Sequence, residues 1–91
     1  MGQNRLLNLL LDEVDDLAMA MCPEFNIGTF GQTIDNAKEH LFENVKIASY
    51  ILVEKEKRGK EVDKRIISYA KKICNNGASI SDYFQEAYIT R

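Results

Sequence analysis

The sequence predicts an all-α fold: a small four-helix domain, two helices long and two shorter, with residues 1–91 forming a single domain. Three observations predict it. Breakers are few, with one Pro and five Gly, and Leu, Ile, Ala, Lys and Glu, which favour helix, are plentiful. Apolar residues recur three and four positions apart over long stretches. Nothing before Gly28 reads as a strand. The 45% apolar and 29% charged fractions are those of a soluble globular domain and exclude disorder.

The first helix is placed at residues 3–22, where Leu6, Leu7, Leu10, Val14, Leu17, Ala18 and Met21 form a stripe. Pro23 stops it, because the ring disfavours helical geometry at Cys22 and offers no donor. Residues 23–32 read as a loop, with Phe25, Ile27 and Phe30 as inward anchors and Gly28-Thr29-Phe30-Gly31 as an ordinary turn. Thr33 then caps a long second helix with Asp35 in its first turn, where the dipole favours an acid. Its stripe is Ile34, Ala37, Leu41, Val45, Ala48 and Leu52.

A third helix carries Val62, Ile66, Tyr69, Ala70 and Ile73 and ends at Asn75-Asn76-Gly77, a pattern that suits a left-handed cap. Ser79 with Asp82 resembles a capping box and opens a short fourth helix bearing Ile80, Tyr83, Phe84, Ala87 and Tyr88. Between helices two and three the chain is expected to turn in an antiparallel hairpin near Gly59. The competing arrangement is one continuous helix over residues 34–75, ~63 Å long at 1.5 Å per residue, which a second copy would have to cover.

Net charge is −2 but unevenly spread. Residues 1–36 hold one base against six acids, and residues 37–77 hold ten bases against six acids. Such halves attract each other, within a chain or between copies. The densest positive stretch runs from Lys55 to Lys72, with eight Lys/Arg against three acids. Within it Lys55, Lys57, Arg58, Lys60, Lys64 and Arg65 form a candidate binding patch, since phosphate contact requires only clustered positive charge. Pairs such as Glu56–Lys60 and Glu61–Arg65 equally describe a salt-bridged exposed hairpin. A helix-turn-helix fits poorly, because the following helix bears Asp82 and Glu86 with almost no base. Tyr83, Phe84 and Tyr88 form a second candidate, an aromatic handle for docking on a partner.

No catalytic motif is present. Asp12 with Asp16, on one helical face, and Glu39 with Glu43 are the acids that could hold Mg²⁺ for nucleotide hydrolysis. They lack the second pair three apart that all-helical nucleotide pyrophosphohydrolases carry. His40 is the only histidine and no CxxC occurs, so no metal and no cofactor is expected. Cys22 and Cys74, 52 residues apart, read as reduced core thiols. No apolar run reaches membrane-spanning length and no signal peptide is visible, so the expected location is the cytoplasm.

These readings point to a small non-enzymatic interaction or regulatory protein, such as an inhibitor. It would bind another macromolecule, a protein partner, and self-associate as a homodimer. The alternatives are a nucleic-acid-associated regulator using residues 55–72 and a Mg²⁺-dependent nucleotide hydrolase.

Overall fold

The protein, seen in a computed structural model, is described over residues 5–89, the side chains of 77 and 78 excepted. It is an α/β fold, and the expectation of an all-α four-helix bundle is corrected. Three strands come first: β1 (Leu7–Val14), β2 (Leu17–Cys22) and β3 (Ile27–Gly31). Two helices follow, α1 (Ile34–Lys57) and α2 (Lys64–Asn75). A 3-10 helix (Gly77–Tyr83) then leads into β4 (Phe84–Tyr88). The four strands form one sheet in the order β3-β2-β1-β4, with β1 parallel to β4 and the other pairs antiparallel.

The stretch read as the first helix is a β-hairpin; residues 3 and 4 of that reading lie outside the described residues. Val14 pairs with Leu17, leaving Asp15 and Asp16 as a two-residue turn with Asp15 at φ 56°. Leu7, Leu9, Leu11, Ala18, Ala20 and Cys22 are fully buried on one face of the sheet. Leu10, Met19 and Met21 are half-buried on the other. Both parities of β2 are therefore apolar, so a period of two was invisible in its polarity, and a period of 3.6 fitted equally well. What decides the matter is pairing and packing: each strand finds a neighbour, and α1 covers the face of small residues.

The expected loop at 23–32 holds β3. Only Pro23–Asn26 turns, with Asn26 N donating to Pro23 O at 3.0 Å and Asn26 at φ 56°. Glu24 serves this end of the sheet. Its carboxylate accepts from Asn8 N (3.2 Å) and Asn8 Nδ2 (2.7 Å), satisfying a backbone donor of β1.

β3 is joined to α1 at very short range. Thr29 Oγ1 donates to Ala37 O at 2.8 Å, and a Cβ on Gly31 would lie 2.5 Å from Ala37 N. Thr33 caps α1 by accepting from Asn36 N. Ala37, Leu41, Val45 and Ser49 form the buried stripe of α1, and its first half lies over β2 and β3.

At its far end the chain turns through Gly59 at φ 75°. Lys60 N donates to Lys55 O and Gly59 N to Glu56 O, both at 3.0 Å. This pair of bonds is the Schellman pattern, which satisfies helix-end carbonyls. Asp63 then caps α2 by accepting from Arg65 N. The hydrogen bonds from Arg65, backbone first and then the guanidinium, hold the Asp63 carboxyl below its usual range. α2 returns along α1 and buries Ile66, Ile67, Ala70 and Ile73. Tyr69 Oη donates to Arg5 O at 2.8 Å, linking α2 to the approach to β1.

The expected fourth helix is the 3-10 helix and β4. Ser79 makes no capping-box contact: its N–H donates to Asn76 O, and its backbone is non-helical. Asn76, at φ −147°, is not left-handed. Phe84 is buried against Phe42, with ring centroids 5.3 Å apart. Pairing continues past β4, where Ile89 N donates to Leu11 O. Lys38 of α1 forms an ion pair with Glu86 on the same face of β4.

Among the described residues one buried side-chain polar atom has no partner. Ser49 is fully buried, and its hydroxyl finds no hydrogen bond among the described residues. Replacing it with Ala removes that unmet desolvation cost and is expected to raise stability by about 1 kcal/mol. A thermal melt should show a rise of roughly 4–8 °C.

Candidate partner-binding surface

The sheet has one face under α1 and one face turned away from it. The outer face is built from every second residue of each strand: Asn8, Leu10, Asp12 and Val14 on β1, and Leu17, Met19 and Met21 on β2. Gly28 and Phe30 on β3, with Gln85 and Ala87 on β4, complete it. Cross-strand register places Leu10 beside both Met21 and Ala87, Met19 beside Phe30, and Val14 beside Leu17. Phe30 remains 58% exposed and Leu17 54%. An outward sheet face is ordinarily polar; here it is largely Leu, Met, Val and Phe. Polar groups gather at one end, where Gln85 Nε2 donates to Asn8 Oδ1 at 3.0 Å. Asp12, buried opposite Met19, is the acid within the apolar field.

Sequence reasoning missed this face. Its signal lies in β2, Leu-Ala-Met-Ala-Met-Cys, where size alternates although polarity does not. The large residues point outward and the small ones toward α1.

The basic candidates all sit at the tip of the α1–α2 hairpin. Lys55 and Lys57 close α1, Arg58 is its C-cap, Lys60 lies in the turn, and Lys64 and Arg65 open α2. All six are exposed. Arg65 is engaged with Asp63 and Lys57 with Glu54. Lys55, Arg58, Lys60 and Lys64 have no ion pair among the described residues. The acids at the other end of the domain, Glu13, Asp15 and Asp16, surround the β1–β2 turn.

The aromatic candidates are not gathered into one handle. Phe84 lies in the core, Tyr83 is half-buried against it, and Tyr88 stands exposed on β4.

The chain's fold has a counterpart. It superposes with a TM-score of 0.71 on the crystal structure of a protein described as the antitoxin part of a proposed toxin/antitoxin system from Syntrophomonas wolfei subsp. wolfei. The likeness is one of fold. Identity is 12%, and the match covers 92% of this chain but 64% of that one. No protein-family model and no curated protein matches the sequence.

The acids weighed for Mg²⁺ are dispersed. Asp12 points away from α1, Asp16 lies in the hairpin turn, and Glu39 and Glu43 are exposed on α1. Among the described residues no group of three His, Cys, Asp or Glu could hold a metal ion. His40 Nδ1 lies 2.7 Å from Phe30 O and ties α1 to β3. No described helix is long and apolar enough to cross a membrane.

The cysteines differ. Cys22 is buried, and burial, reinforced by the nearby Glu24 carboxylate, pushes its thiol up to about 11. Cys74 is exposed, contrary to its reading as a core thiol, and its pKa is raised by partial burial. The thiolate is the reactive form. Alkylation of the native protein at mildly alkaline pH, read by mass, is expected to add one group at Cys74 and leave Cys22 unmodified until unfolding. Because the folded state favours the neutral Cys22 thiol, its contribution to stability is complete below pH 9. That contribution is lost as pH rises from there through about 11.

Proposed function

We propose that this chain is a non-enzymatic regulatory protein that binds and restrains a protein partner through the outer face of its sheet, as an antitoxin would. The observation that carries this reading is that face: Leu10, Val14, Leu17, Met19, Met21 and Phe30 form a contiguous apolar surface where a solvated sheet would be polar. An exposed apolar field rimmed by polar groups marks a protein-binding surface. The fold shared with an antitoxin component supports the inhibitor class over an enzyme.

Expression of the protein encoded beside this chain, alone and together with it, tests the reading. The neighbour alone is expected to arrest growth, and co-expression to relieve the arrest. Leu17→Asp with Phe30→Asp should abolish the relief while leaving the folded circular-dichroism spectrum intact, because both side chains already face solvent. A harmless neighbour, or relief that survives both substitutions, would overturn it.

A further inference from the structure

The hairpin tip offers a second surface that the sheet-face reading does not use. On α1, Ile47, Tyr50 and Ile51 lie three and four residues apart, on one face. They are 58%, 64% and 47% exposed. That face runs into a groove of about 400 Å³ lined by Tyr50, Ile51, Glu54, Lys55, Arg58 and Lys60. Glu54 is engaged by Lys57, so the three cations of the groove keep their charge unmatched within the described residues. An apolar strip ending in unpaired cations calls for an occupant with the reverse character: exposed aliphatic side chains among carboxylates.

The chain itself carries such a segment. At the β1–β2 turn, Val14 and Leu17 are exposed and paired side by side, and Glu13, Asp15 and Asp16 are exposed around them. The fold sets the two at opposite ends. Gly31 pairs with Ala18 near that turn, and α1 starts just beyond it. α1 then runs back past the other end of the sheet, where Glu24 and Phe25 share a cavity with Ile51, Leu52 and Ile66. In a molecule 44 Å long, the turn therefore cannot reach its own groove.

We infer that the groove at the α1–α2 tip receives the acidic β1–β2 turn of a second copy, so that the protein associates head to tail. Exposed Ile47 and Ile51 beside the cations favour an occupant that brings aliphatic side chains with its carboxylates, which a nucleic-acid backbone does not. A contact joining two different patches leaves a free groove at one end and a free turn at the other. It therefore extends instead of closing.

Sedimentation equilibrium over a concentration series, at about 50 mM and about 500 mM salt, tests this, because exposed charges are screened beyond a few ångströms at the higher value. The weight-average mass of the wild type is expected to climb with concentration at low salt, without a plateau at a fixed stoichiometry, and to fall at high salt. One variant removes the turn's charges (Glu13→Gln, Asp15→Asn, Asp16→Asn) and another the groove's (Lys55→Gln, Arg58→Gln, Lys60→Gln). Each alone should associate about tenfold or more weakly. Mixed in equal amounts they should form a dimer and stop there, since one intact turn meets one intact groove.

A wild type that stays monomeric at low salt would overturn the inference, as would a mixture no larger than its components. So would low-salt binding of a labelled oligonucleotide, lost in the groove variant, by a monomeric wild type; this would assign the cations to nucleic acid. The salt dependence of the wild type reads the contact without any variant.

Discussion

Replacing Phe84 with Ala is expected to lower the stability of the fold by about 3–5 kcal/mol, the cost of deleting a buried aromatic ring. Phe84 is the first residue of β4 and the member of that strand held in the core. Its ring meets Phe42 of α1, and its backbone pairs beside Leu7 of β1. Truncation thus opens a cavity where helix, sheet and edge strand join. A domain of this size has roughly 5–15 kcal/mol in total, so a urea titration should show the midpoint reduced by about a fifth or more. Tyr88→Ala, four residues along the same strand and exposed, should leave the midpoint nearly unchanged. If the two variants unfold alike, β4 is not anchored by its first residue.

Gly31→Ala is expected to cost about 1–3 kcal/mol for overpacking. The added methyl would meet Ala37 N at 2.5 Å and the Asn36 carbonyl carbon at 2.9 Å. These are backbone atoms of the first turn of α1, which cannot rotate away as a side chain can. Relief requires α1 to lift from β3, which stretches the Thr29–Ala37 hydrogen bond. Gly28→Ala is the matched control in the same strand: its methyl would lie 3.6 Å from Met21 Cγ, an ordinary contact. A chemical-denaturation pair should separate the two variants clearly. Equal losses would mean that strand propensity, not the close approach, sets the requirement for glycine.

The helices were legible because their opposite faces differ. α1 sets Ala37, Leu41 and Val45 inward, with Asp35, Glu39 and Glu43 exposed to water, so the spacing shows in the sequence. Thr33 and Gly59 mark its ends through local chemistry, a side-chain cap and a left-handed turn. The sheet was not legible for the opposite reason. β2 is apolar on both faces, one turned to α1 and one left open, and β1 mixes Asn8 and Asp12 with Leu10 and Val14 on its outer side and ends its inner side in Glu13, so no regular polar alternation betrays the strands. Their Leu, Ala and Met are also good helix formers, and Asp15-Asp16 lacks the Asn-Gly signature of a two-residue hairpin turn.

β4 was hidden by distance: Leu7 pairs with Phe84, and Asn8 with Gln85 77 residues away. A parallel partner so remote leaves no local trace in five residues. The candidate surfaces divide in the same manner. The positive charge at the hairpin tip is a property of composition and could be read directly, whereas the apolar outer face exists only once the pleat assigns alternate residues to opposite sides.

The parallel pairing of β1 with β4 also sets a timetable for the growing chain. β1, β2 and β3 can zip together as soon as they are made, since each turn between them is two or four residues long. The second edge of β1 must wait for β4, and at roughly 5–20 residues per second that interval is about 4–15 s. Through it, the edge of β1 displays unpaired N–H and C=O groups beside Leu7, Leu9 and Leu11, a template for any passing strand. A nascent chain of this fold is therefore most open to strand capture, by a chaperone or by a sister chain on the same message, in the seconds before its last strand arrives.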